Sequence, residues 1–165
     1  MNTRRSLVAA FFDLDRTLVA GATGPAFARH LDAAGVRQRH LPGADLVAAT
    51  YRALGETALT SQAARLAARA TAGWPVEAVE AAAQAAADEL VEQVQPYVPV
   101  ILDEHRQAGR TLVMATTSPA SLVTPFAERL GFDDVIATKW VIRDGLYTGE
   151  LDGGIVWGRG KLEAV

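Results

Sequence analysis

Asp13 and Asp15 stand one residue apart in Asp13-Leu14-Asp15-Arg16-Thr17-Leu18, at the end of the apolar run Leu7-Val8-Ala9-Ala10-Phe11-Phe12. In open α/β sheets, ligands bind beyond the carboxyl ends of the strands, so acids placed there face a ligand site. Two such acids can divide a group transfer between them, one as nucleophile and the other as proton carrier. The plainer reading is that Asp and Thr are common turn and cap residues. A second cluster is Thr116-Thr117-Ser118-Pro119, which follows another apolar run. Its hydroxyls and backbone N–H groups are of the kind that hold phosphate oxygens beside a helix start. Ser, Thr and Pro are equally ordinary helix-entry residues. Lys161, in Gly158-Arg159-Gly160-Lys161, read by itself is a solvated surface charge.

The elements that must position these residues follow from periodicity and punctuation. Residues 7–12 form a continuous apolar run, as in a parallel strand covered on both faces. From about residue 27 to residue 90 the chain becomes rich in Ala, Arg, Leu and Glu, with few β-branched clusters. Residues 26–34 read as a helix stopped by Gly35. Thr60 or Ser61 caps a helix running through Ala70, and Gly73 closes that stretch. Pro75 opens the next helix, with Glu77 and Glu80 near its positive end. Pro96 and Pro99 mark the end of this helical insertion. Residues 100–107 read as a helix ended by Gly109, 111–115 as a strand, 121–130 as a helix ended by Gly131, and 134–138 as a third strand. Residues 140–151 alternate around Asp144-Gly145, a strong hairpin signal. Strand, helix, strand, helix, strand is the pattern of a doubly wound α/β core. The expected organisation is an α/β core from residues 1–20 and 97–165, interrupted by an all-helical insertion at 21–96.

The bulk properties narrow the classes. The chain has 165 residues, half of them apolar, and a formal net charge of −3. That balance gives no electrostatic footprint for nucleic acid. No cysteine is present, which excludes disulfides, thiolate zinc sites and cysteine nucleophiles, and fits a reducing, cytoplasmic setting. The apolar run near the start is too short for a signal peptide and is cut by Asp13 and Asp15. No stretch approaches the roughly 18–20 apolar residues that cross a bilayer. His30, His40 and His105 are scattered and are expected at the surface; Arg29 and Arg52 are expected in helix salt bridges. Trp74 is expected to pack beneath the insertion, and Trp140 and Trp157 to flank the hairpin. A P-loop is excluded: Gly160-Lys161 lacks a Gly five residues before Gly160, and Leu162 replaces the Ser or Thr.

Taken together, the acid pair, the Thr cluster, Lys161 and the Asp-Gly hairpin followed by Thr148-Gly149-Glu150 resemble the haloacid dehalogenase-like hydrolases. They are most similar to the phosphoserine-phosphatase-like branch. The resemblance implies a Rossmann-like core with a parallel sheet and a helical cap at residues 21–96. It assigns Asp13 as nucleophile, Asp15 as general acid/base, Thr17 as the residue orienting that acid, Thr116 and Thr117 as phosphate-binding residues, and Lys161 as the neutralising cation. It implies Mg²⁺ as cofactor, held by Asp13 and Asp15, and a small phosphate ester as substrate. A carboxylate attacking a phosphate dianion meets repulsion of about 4 kcal/mol per charge pair at roughly 4 Å and an effective dielectric near 20. Mg²⁺ and Lys161 are expected to offset it.

One family feature does not appear. The acids that follow the lysine and complete the Mg²⁺ site have no counterpart among the residues after Lys161. The expectation is therefore a core incomplete at its C-terminal side, with the 7–12 strand left as an exposed edge. An alternative is a non-catalytic binding or scaffold protein that keeps the fold without a complete metal site. A signalling receiver domain is disfavoured, because its acid pair and its acceptor aspartate lie on different strands.

Overall fold

A computed structural model describes residues 8–36 and 65–153. Its centre is a four-stranded sheet of β1 (Ala9–Phe12), β2 (Thr111–Pro119), β3 (Asp134–Arg143) and β4 (Leu146–Asp152), in the order β1-β2-β3-β4. β1, β2 and β3 run parallel, and β4 returns antiparallel beside β3. Among the described residues, α1 (Gly24–Ala33), α2 (Val76–Val91), α3 (Val98–Gln107) and α4 (Ala120–Arg129) accompany it. The α/β class read from the sequence is the observed one.

β2 is the strand buried on both faces. Leu112, Val113, Met114, Ala115 and Thr116 are all buried. β1 is not: Ala10 is buried, while Phe11 is 44% exposed. The expected cover on both faces is incomplete on β1, which lies at an edge of the sheet among the described residues.

The helices stop where the glycines said they would. At the end of α4, Gly131 N–H bonds to Glu128 O and Phe132 N–H to Ala127 O, a Schellman closure. Gly131 takes φ +71°, and a Cβ there would sit 2.8 Å from Arg106 Nη2. That guanidinium bonds the Leu130 carbonyl and so ties α3 to the end of α4. α1 and α3 close with the same bond pattern.

The differences lie at element boundaries. β2 continues to Pro119 and β3 to Arg143, because both strands extend past the parallel core. Pro99 falls inside the first turn of α3, where a missing N–H costs no helical bond. The hairpin is confirmed: Asp144 and Gly145 take φ 51° and 75°, as a two-residue primed turn requires. Of the helix expected through Ala70, residues 65–69 are helical. Its cap at Thr60 or Ser61 lies outside the described residues, as do Lys161, Trp157, Arg52 and His40.

α2 packs between α1 and α4 through an alanine face in which Ala82, Ala83, Ala86 and Ala87 are buried. Short side chains let the helix backbones approach closely. One apolar cluster joins α1 and α2 to Ala10, Leu112 and Met114 of the sheet and to Val123 and Phe126 of α4.

Candidate active site

Parallel pairing puts the C-terminal ends of β1 and β2 at the same end of the sheet. Phe12 is level with Met114, so Asp13 leaves β1 beside the Ala115-Thr116 end of β2. Asp13 is exposed there, and Thr116 is 2% exposed.

The loop after Asp13 is fixed by its apolar residues. Leu14, Leu18 and Val19 are at most 1% exposed and root it in the core. The Leu14 carbonyl accepts N–H bonds from Thr17, Leu18 and Val19, which winds the chain tightly around it. Arg16 takes φ 61°, an uncommon conformation for a side-chain-bearing residue, and its N–H bonds to Gly21 O at 3.0 Å. The linker between α2 and α3 holds the loop from outside: Val94 bridges Val19, Gln95 N–H bonds to Leu18 O, and the Tyr97 hydroxyl donates to Thr17 O.

Asp15 is half-buried, and both donors to its Oδ1 come from Thr23: the backbone N–H at 2.7 Å and the hydroxyl at 2.9 Å. Thr17 contributes its carbonyl to Tyr97. Thr23 and Tyr97 were not singled out from the sequence. The one signal was Thr23 standing immediately before Gly24-Pro25, a helix-start pattern.

At the β2 end, Thr116 Oγ1 accepts the Ser118 N–H at 3.2 Å, and the Thr117 carbonyl accepts the Thr138 hydroxyl at 2.9 Å. These bonds turn the chain into α4, whose N-cap Pro119 makes no side-chain cap bond. The first N–H groups of α4, at Ala120 and Ser121, thus lie three to four residues beyond Thr117, where a helix start favours an anion.

The Asp13 carboxylate and the Asp15 backbone carbonyl are hard oxygen donors of the type that suits Mg²⁺, which takes few protein carboxylates and keeps several waters. No group of three or more His, Cys, Asp or Glu gathers as a metal cluster among the described residues. His30 and His105 are spent elsewhere. His30 donates to Glu89 Oε2 at 2.9 Å, and the His105 ring stands edge-on to Phe12 at 5.4 Å. Arg29 pairs with Glu89 as a helix salt bridge. The His30 hydrogen bond foremost, then the Arg29 charge and the Gln93 bond, hold the Glu89 carboxyl below its ordinary value despite the opposing cost of burial. Trp74 and Trp140 pack edge-on, with ring centres 6.2 Å apart.

A mostly parallel sheet with an acid pair and a Thr turn placed along neighbouring strands defines a doubly wound α/β core. The chain belongs to the haloacid dehalogenase-like hydrolase family, whose model matches residues 10–165. It is 33% identical over 165 residues to the inhibition of morphological differentiation protein of Streptomyces azureus, covering 95% of this chain and 58% of that protein. A phosphoserine phosphatase of Mycobacterium tuberculosis is 32% identical over 161 residues, with 95% of this chain and 52% of that one covered. The chain thus spans between 52% and 58% of the length of these curated relatives. Among solved structures, a protein of unknown function from Bordetella pertussis Tohama I matches with TM-score 0.71 and 26% identity, over 94% of this chain and 71% of that one. A substrate-bound phosphoserine phosphatase shares the fold at TM-score 0.60 and 22% identity, over 93% of this chain and 66% of that one. No described helix is long and apolar enough to cross a membrane.

Proposed function

We propose that this chain carries the nucleophile side of a Mg²⁺-dependent phosphomonoester hydrolase resembling phosphoserine phosphatase. The observation that supports it best is the placement of exposed Asp13, just past the end of β1, next to the Ala115-Thr116 stretch of β2, with Asp15 held by two hydrogen bonds. In this reading an Asp13 carboxylate oxygen attacks phosphorus, and the bond from phosphorus to the ester oxygen breaks. Asp15 gives its proton to the leaving alcohol, then takes one from the water that attacks the aspartyl-phosphate. Thr116, Thr117 and the start of α4 orient the phosphate oxygens. Lys161 supplies counter-charge, as the family resemblance suggests. The Asp13 carboxylate and the Asp15 carbonyl would hold Mg²⁺, which would supply charge to neutralise the phosphate. Residues 21–96 serve as the cap that selects the ester group and excludes water. The ester itself is a small one, of which phosphoserine is the first to try.

The test is phosphate release from phosphoserine and from p-nitrophenyl phosphate, with and without Mg²⁺, by the chain and by Asp13→Asn. Turnover that needs Mg²⁺ and falls by at least about 10³-fold in the variant is the expected result. No turnover by the parent chain, or equal turnover by both proteins, overturns the reading and favours a scaffold.

A further inference from the structure

We infer that Thr23 is the positioning residue for Asp15, fixing which carboxylate oxygen faces the ester. This rests on the role proposed for Asp15 above. Thr23 is fully buried, and both of its donors, the backbone N–H and the hydroxyl, reach the same oxygen, Asp15 Oδ1. Turning the carboxylate about its bond to Cβ would break both bonds at once and leave a buried hydroxyl without its acceptor. The carboxylate is therefore locked, with Oδ2 as the oxygen Thr23 does not engage. Thr23 also stands at the N-cap of α1, yet its side chain makes no cap bond; the hydroxyl is turned to Asp15 instead.

The geometry adds a mechanical link. α1 begins directly after Thr23 and is bolted to α2 by Arg29 and His30 on Glu89. A shift of α1 is passed through Thr23 to the acid. The residue that starts the first helix of the insertion and the residue that orients the proton carrier are one and the same.

The experiment exploits leaving groups. An alkyl alcohol needs a proton to depart, whereas p-nitrophenolate needs little help, so a misplaced acid harms the two esters unequally. Thr23→Val keeps the shape and the backbone donor but removes the hydroxyl. Expected is a fall in kcat of about 30-fold on an alkyl phosphate such as phosphoserine against about threefold on p-nitrophenyl phosphate, with KM little changed. Thr23→Ser, which restores the hydroxyl, is expected to recover most of the loss. Equal losses on both esters, or no recovery in Thr23→Ser, overturn the inference and reduce Thr23 to a packing residue. A second measurement is independent of turnover: urea midpoints of Thr23→Val, Asp15→Ala and the double variant. Non-additive midpoint shifts support the contact, and additive ones overturn it. If the parent chain hydrolyses neither ester, the functional reading fails, while this cycle still decides whether Thr23 holds Asp15.

Discussion

Asp15 and Glu89 show how one carboxylate can be placed by its neighbours for different ends. Asp15 receives two donors from a single buried residue, while Glu89 gathers Arg29 and His30 from α1 and Gln93 from the turn after α2, at the surface. Because the folded protein holds Glu89 below its ordinary value of 4.5, its contribution to stability is present above that value. It is lost as the pH falls through the lower, folded value. Glu89→Gln is therefore expected to lower the urea midpoint near neutral pH, and the difference from the parent chain is expected to shrink as the pH falls below about 4.5. A difference that stays constant from neutral pH down to acid would show that the effect is not carried by the carboxylate charge. The acid pair itself was legible in the sequence because an apolar run ending in two acids is a strand-end pattern. Thr23 was not, because which side chain turns toward Asp15 is decided by the winding of residues 14–22, which no periodicity encodes.

Among the elements, α2 and β4 each hold a position with little room to change. Ala83 and Ala86 are fully buried on the face of α2 that meets its neighbours. Ala83→Leu is expected to destabilise the fold by about 1–3 kcal/mol through overpacking, read from chemical denaturation. An unchanged midpoint would mean that the helices separate easily. On β4, Gly149 takes φ +82°, and a Cβ there would lie 3.1 Å from the Arg69 carbonyl oxygen and from Ala72 Cβ. Gly149→Ala is expected to cost about 1–3 kcal/mol, from backbone strain together with the close approach of residues 69–72. A loss under about 0.5 kcal/mol would show that the turn relaxes. The hairpin was readable from Asp144-Gly145 because its turn chemistry is local. The close approach of residues 69–72 to Gly149 was not, since it joins parts of the chain far apart in sequence.

At the scale of the whole molecule, the two edges of the sheet are treated differently. Along β4, residues 73–76 add a further row of hydrogen bonds, from Gly73 N–H to Tyr147 O, Tyr147 N–H to Trp74 O and Val76 N–H to Gly145 O. β1 pairs with β2 on one side, and no described strand lies on its other side. Val8 and Phe11 are 56% and 44% exposed there. An apolar edge of this kind is a template for association. Phe11→Lys is expected to reduce concentration-dependent light scattering while leaving the unfolding temperature nearly unchanged. Scattering equal to that of the parent chain would locate the association elsewhere. The edge position of β1 among the described residues was foreseen from the family pattern, whereas the sheet order was not read from the sequence and the loss of cover over Phe11 depended on neighbours that a run of apolar letters cannot specify.

The edge-on stack of Trp74, Trp140 and Tyr147 has an optical consequence. Ring centres 6.2 Å apart at 84° for the two indoles, and 5.3 Å at 83° for Trp140 with Tyr147, bring their transition dipoles into strong coupling. Trp74 precedes α2 and Trp140 belongs to β3, so the pair joins segments that meet only in the folded chain. An exciton couplet in the far-ultraviolet circular dichroism is the signal expected from this arrangement. Its indole–indole part would be lost in Trp74→Phe while the Trp140–Tyr147 pair remains, and it would give the docking of the hairpin on the helical segment its own spectroscopic clock.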